Sequence, residues 1–326
     1  MRLKTVLKTS AIALTFAFGV AATASAAELK KLRVDWATYN PVSLILKDQK
    51  LLETEFAKDG IAIEWVQSAG SNKALEFLRT NTVDFGSSAG AAALMERAAG
   101  TPIKSIYVYS RPEWTALVVA ENSNLKAVSD LKGKKIAVTK GTDPHIFLMR
   151  ALDGAGLGEK DVTIVPMPHA DGRVALEKGE VDAWSGLDPM MAQSELTAKS
   201  RLLFRDPYLN TYGVLNVRED FAAAHGDTIR RVLKTYEAAR NTALRNPDVL
   251  KAALVKAANI DDAVAARQLE RTDLRNSAVG NAQQRTIQAA GEVLQKAGII
   301  AASVNVEKTV KDLLDRSFST STAASN

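Results

Sequence analysis

The stretch Lys135-Ile-Ala-Val-Thr-Lys-Gly-Thr-Asp-Pro-His145 changes character halfway along. Residues 135–139 form a short apolar run of strand type, and residues 145–155 read as a helix. The segment between them, Lys140 to His145, is therefore a strand-to-helix junction. Downstream the unit repeats, with strand 162–166, helix 172–178, strand 181–184 and helix 189–198. Upstream lies a matching series: strand 32–37, helix 43–57, strand 62–67, helix 71–79, strand 83–86 and helix 90–99. Strands alternating with helices of this length predict βαβ units and parallel sheets.

Between the two series the rhythm breaks. Residues 103–109 and 116–120 are extended, with only a short Pro-containing link between them, as expected where a chain leaves one sheet for another. Residues 212–217 are extended again and return the chain. From Glu219 the pattern is helical to Phe318, broken once at Asn246-Pro247. The halves also echo each other: Leu78-Arg-Thr-Asn-Thr-Val-Asp84 parallels Leu176-Glu-Lys-Gly-Glu-Val-Asp182. Each ends a helix on a residue tolerant of left-handed backbone and starts a strand on Val-Asp. That device is common, and two lobes of similar topology facing a shared cleft also account for it.

The N-terminus carries Arg2, Lys4 and Lys8, then an apolar run 11–22, then Ala24-Ser-Ala26. This is the pattern of a cleavable secretory signal over 1–26, since the apolar run is far below the roughly 20 residues of a membrane span. Its loss leaves 300 residues and lowers the formal charge from +5 to +2. No basic cluster with interleaved aromatics argues for nucleic acid. The chain has no cysteine, which excludes disulfides, thiolate metal sites, a cysteine nucleophile and a lipidated cleavage site. A free periplasmic protein is expected, and residues 319–326 read as a disordered tail.

Three junctions are rich in Gly, Ser and Thr: 68–72, 87–90 and 140–145. At the carboxyl ends of parallel strands such loops open helices, whose N–H groups and dipoles favour an anion. Each Ser or Thr could equally cap its own helix. None of His145, His169 and His225 belongs to a metal-binding spacing, and no nucleophile elbow, Walker loop or dinucleotide fingerprint is present. His145 stands where it could touch a ligand or simply cap its helix, while His169 and His225 read as loop or surface positions. Trp184 is read as core or as a cleft wall, Trp114 as hinge packing or cleft lining, and Asp188-Pro189 as a helix start.

Asp130-Leu-Lys-Gly-Lys-Lys-Ile-Ala-Val138, Gly141-Thr-Asp-Pro-His145, Ala151-Leu, Gly156-Leu and Gly179-Glu-Val-Asp-Ala-Trp184 with Asp188-Pro189 resemble the periplasmic binding proteins for aliphatic sulfonates. That group sits within the nitrate, sulfonate and taurine binding-protein family of bacterial ABC transporters. The resemblance runs from Leu32 to about Phe221. It implies a type II periplasmic binding fold: an α/β protein of two lobes joined by two crossovers. Lobe I would take 28–113 and 213–318, and lobe II 114–212. It also implies a non-catalytic monomer without cofactor or metal that closes on a small organic anion and delivers it to an inner-membrane permease. The candidate ligand set is Tyr39, Asn40, Gly70, Ser71, Ser87, Ser88, Gly90, Trp114, Thr142, His145, Trp184 and Asp188. Two departures matter. Ser68-Ala-Gly-Ser71 replaces the family's Pro-Ala-Gly-Pro-like segment, and Ser185-Gly-Leu187 replaces a bulkier stretch. Both fall where the ligand's organic part would lie. Nitrate, bicarbonate or a thiamine-pyrimidine-type ligand is the alternative cargo, and a cofactor-using pyrimidine-synthase-like enzyme the alternative activity. Export argues against the enzyme.

Overall fold

The computed structural model describes residues 29–319. Residues 1–28, which include the signal peptide expected over 1–26, and residues 320–326 lie outside the described residues. Ser319, first of the expected tail, is held by its hydroxyl, which accepts from the Val279 N–H at 3.1 Å.

The chain runs β1 (Lys31–Trp36), α1 (Pro41–Asp48), α2 (Leu51–Phe56), β2 (Ala62–Gln67), α3 (Ser71–Arg79), β3 (Phe85–Ala89), α4 (Gly90–Ala98) and β4 (Ile103–Pro112). Then follow β5 (Leu117–Val119), β6 (Lys135–Val138), α5 (Asp143–Gly154), β7 (Thr163–Pro166), α6 (His169–Glu177), β8 (Ala183–Ser185), α7 (Met190–Thr197), β9 (Arg201–Phe204) and β10 (Gly213–Arg218). The remainder is α8 (Glu219–Ala224), α9 (Gly226–Arg245), α10 (Pro247–Ala258), α11 (Asp262–Glu270), β11 (Thr272–Asp273), α12 (Asn281–Lys296) and α13 (Val306–Leu313).

Two sheets result, ordered β11-β4-β10-β3-β1-β2 and β7-β6-β8-β5-β9. In each, three parallel strands stand in the order second-first-third, and an antiparallel strand supplied by a crossover closes the set. The crossovers are β4 to β5 and β9 to β10. This is the two-lobed α/β architecture the sequence implies. The echo is structural as well. Asn81 and Gly179 both take left-handed φ, +56° and +73°. Asp84 and Asp182 then each accept, at 2.8 Å, from the backbone N–H of the lobe's first strand, at Arg33 and Lys135.

Some boundaries differ from the expectation. The helix read over 43–57 is two helices, because Lys50 turns left-handed at φ +52°. Strand β9 stands in a segment with no periodic signal and pairs with β5. Strand β11 interrupts the helical C-terminal part and pairs with β4. Lobe I is filled by Leu32, Val34, Phe85, Ile106 and Val217, lobe II by Ile136, Val138, Phe147 and Trp184, all fully buried. Each such aliphatic or aromatic side chain contributes about 1.5–3 kcal/mol by leaving water.

Candidate functional site

Helices α3 and α5 start at the carboxyl ends of β2 and β6, one in each lobe, and their first turns meet. Asn72 of α3 packs against Gly141 before α5. Gly70, the N-cap of α3, lies against Thr142, the N-cap of α5. A Cβ on Gly70 would sit 3.6 Å from the Thr142 methyl and 2.9 Å from Asn72 Oδ1, so glycine is what permits the approach. No side chain caps either helix at Gly70 or Thr142. Thr142 instead donates its hydroxyl to the Thr139 carbonyl at 2.6 Å. The first N–H groups of both helices thus keep their positive dipole ends facing the seam between the lobes.

A small buried cavity occupies that seam. Tyr39, Ser71, Trp114, Thr142, Asp143, Pro144 and Leu187 line it, and its volume is about 10 Å³, room for about one water. The Tyr39 and Trp114 rings meet edge to face, with centroids 5.9 Å apart. Their polar atoms point elsewhere: the Tyr39 hydroxyl donates to the Ser87 carbonyl and Trp114 Nε1 to Asp143. Toward the cavity the rings are therefore apolar walls. No lining residue is a lysine or arginine.

Asp143 was quoted in the sequence only as part of its junction, yet it joins the whole site. Its carboxylate accepts from Trp114 Nε1 at 2.7 Å, Thr211 N at 3.1 Å and Thr211 Oγ1 at 2.6 Å. Trp114 lies on the first crossover and Thr211 on the second. One buried carboxylate on α5 therefore ties both interlobe connections. Burial pushes its pKa up, and the hydrogen bonds from Thr211 and Trp114 act against that rise.

The third predicted junction does not open onto the cavity. Thr211 Oγ1 accepts from the Ala91 N–H, the Thr211 carbonyl from the Gly90 N–H, and Ser71 Oγ from the Ala89 N–H. The N-terminus of α4 is thereby closed from within. A Cβ at Gly90 would lie 2.5 Å from the Thr211 carbonyl oxygen, so Gly90 serves that contact. Ser87 donates to Asp35 at 2.7 Å and accepts from Asn40 Nδ2 at 2.8 Å, while Asn40 also caps α1. Ser88 accepts from Asn216 Nδ2 at 2.9 Å. All these polar groups are fully buried, and the geometry moves Asn40, Ser87, Ser88 and Gly90 from ligand contacts to scaffold. Burial pushes the Asp35 carboxyl beneath them up to about 6.

Two further candidates also move. Trp184 is wholly buried in the lobe II core and packs on Gly172 and Gly186, so it is no cleft wall. Asp188 accepts from the Ala192 N–H at 2.9 Å and pairs with Arg271 at 3.1 Å, across the lobes and behind the cavity. His145 is buried, and among the described residues neither ring nitrogen has a hydrogen-bond partner. Burial lowers its pKa.

His169 was read as a loop or surface residue and is neither. It opens α6 at the end of β7, is 3% exposed, and among the described residues neither ring nitrogen has a partner. Its Nε2 lies 3.4 Å from where a Gly70 Cβ would be. Helix α6, too, has no side-chain cap. The only sequence signal was its place after a strand, and Pro168 made that look like a plain turn.

A family profile described as NMT1/THI5 like matches residues 56–249. The putative aliphatic sulfonates-binding protein of Escherichia coli K12 is 33% identical over 224 residues, covering 68% of this chain and 69% of its own. The alkanesulfonate-binding protein of Xanthomonas axonopodis pv. citri, solved bound to MOPS, superposes with a TM-score of 0.80 at 27% identity. That match covers 87% of this chain and 99% of the other. A desulfurization enzyme has a TM-score of 0.67 over 90% of this chain and 99% of its own, and its 12% identity speaks to the fold alone.

Proposed function

The chain belongs to the NMT1/THI5-like family, and we propose that it captures a small organic oxyanion, an aliphatic sulfonate or taurine-like compound, between its lobes. The observation that carries this reading is the meeting of two uncapped helix N-termini, one from each lobe, on a cavity with aromatic walls. Backbone N–H groups would hold the head group, as helix N-termini hold anions generally. Tyr39, Trp114, Pro144 and Leu187 would meet the carbon portion. Tyr39, Gly70, Ser71, Trp114 and Thr142 are the contacts retained from the sequence.

A cavity of about 10 Å³ is far too small for such a molecule. Ligand entry therefore requires the lobes to part, and contacts to both lobes would favour reclosure. Ser71 and Leu187, where the sequence departs from its relatives' pattern, both line the cavity. This supports a cargo whose organic part differs from a simple alkanesulfonate. Export to the periplasm and hand-over to an inner-membrane permease complete the proposed role. The 33%-identical relative and the TM-score 0.80 neighbour are both named as binding proteins, which supports capture without catalysis. None of the helices among the described residues is long and apolar enough to cross a membrane.

A thermal-shift panel of taurine, methanesulfonate, nitrate, bicarbonate and a thiamine pyrimidine tests the reading. A true ligand at 100 times its Kd adds about 2.7 kcal/mol of stability. The expected result is a raised Tm with one of the sulfonates. A shift with nitrate, bicarbonate or the pyrimidine, and none with either sulfonate, overturns the cargo class.

A further inference from the structure

A buried anion is costly unless hydrogen bonds or charge offset its lost hydration, and the cavity between the lobes offers no lysine or arginine. Its one carboxylic side chain is Asp143, which makes an added anion harder to hold. Two helix N-termini supply about half a charge each at most. Two buried histidines with unpartnered rings among the described residues stand near the seam, His145 and His169, and the one set against the start of α3 is His169. Its imidazole is buried with both nitrogens unpartnered among the described residues, an arrangement that costs stability unless something uses it. Nε2 faces Gly70, the uncapped start of α3, from the opposite lobe.

We propose that His169 is a ligand contact: the anionic head seats between the α3 N-terminus and His169 Nε2, and the imidazole takes up one proton from solvent as the anion binds. The proposal rests on the capture reading and adds the residue that balances the charge. No bond to the ligand forms. The charged and titratable groups on the elements packed around the ring are few. Helix α3 presents Lys73, paired with Glu76. Asp143 and His145 stand on α5, and Lys135 at the far end of β6. Helix α7 carries Glu195, paired with Arg271. Asp171 and Arg173 lie on α6 itself, the latter paired with Glu177. Burial holds the free imidazole down at about 4, so it is neutral in the unliganded protein near neutral pH. An anion within hydrogen-bond reach raises such a group by about 1–3 units. Between the free and the liganded value the complex binds more protons than the free protein. Affinity therefore falls as pH rises through that window.

The test is calorimetry with taurine and methanesulfonate on the full mature chain, in succinate and bis-tris, buffers free of sulfonate. Uptake of about 0.2–0.9 proton at pH 5.5 is expected, according to how far the anion raises the imidazole. The wild-type Kd should rise about two- to eightfold from pH 5 to pH 6. His169→Gln should weaken binding at pH 5 and flatten the profile, whereas His145→Gln should keep the slope. Should His169→Gln fold poorly, wild-type protein with ¹⁵N-labelled histidine settles the point. Only three histidines exist, and the His169 ring should be neutral at pH 5.5 when free and protonated in the complex. Binding with no proton uptake, or uptake lost in His145→Gln instead, overturns the proposal and leaves the capture reading standing. If neither these sulfonates nor nitrate nor bicarbonate binds at any pH from 5 to 8, both fall together.

Discussion

Asp143→Ala is expected to lower the unfolding free energy by about 3–5 kcal/mol, because three buried donors lose their acceptor together. Trp114 Nε1, Thr211 N and Thr211 Oγ1 all donate to that carboxylate. A buried donor left unpaired costs about 1–3 kcal/mol, and water entering the space offsets part of the sum. For a chain of this size the loss corresponds to a Tm about 5–8 °C lower. The damage should not be uniform. Because Trp114 and Thr211 lie on the two crossovers, the variant should also widen the distribution of interlobe distances, measured by paired spin labels. A Tm within about 2 °C of wild type, with an unchanged distance distribution, would mean that the carboxylate does not tie the crossovers.

The second large effect concerns binding. Gly70→Val should weaken sulfonate binding by about 100-fold or more, equivalent to about 2.7 kcal/mol, while the protein still folds. Its Cβ alone would come within 2.9 Å of Asn72 Oδ1 and 3.4 Å of His169 Nε2, and the branched methyls would fill the space between the two helix starts. The backbone there, at φ +158° and ψ +163°, is one that residues with a side chain rarely adopt, so the variant should also lose about 1–3 kcal/mol of stability, and binding is read on protein whose circular dichroism matches wild type. Binding within threefold of wild type would place the anion somewhere other than the α3 N-terminus.

The sequence made the architecture readable because both lobes use the same local device. The alternation of strand and helix, the left-handed residues Asn81 and Gly179 and the Val-Asp strand starts are signals within a few residues of each other. The junctions at Gly70-Ser71 and Thr142 were readable for the same reason. The status of the Ser87 to Gly90 junction was not, because what closes it is Thr211, which lies 120 residues from Ala91. An open and a closed helix start have the same local sequence. Asp143 looked like an ordinary first-turn acid before Pro144, and its partners Trp114 and Thr211 are 29 and 68 residues away. His169 reads as a loop or surface residue because the segment after β7 has the composition of a turn, and what packs on its ring includes Gly70, 99 residues away. Trp184 shows the converse: its place near a strand end suggested a cleft, but Gly172 and Gly186 leave room for the ring to turn inward.

The central claim is one of place: an organic oxyanion held where the α3 and α5 N-termini meet. A crystal structure of the mature chain grown with methanesulfonate tests it most directly. The account predicts sulfonate oxygens on the backbone amides of Ser71 or Asn72 and of Thr142 or Asp143, with the methyl group toward Trp114 and Tyr39. Sulfonate bound instead in the groove behind the hinge, lined by Arg111, Tyr208 and Arg275, with the seam between the helix starts unchanged, would contradict it.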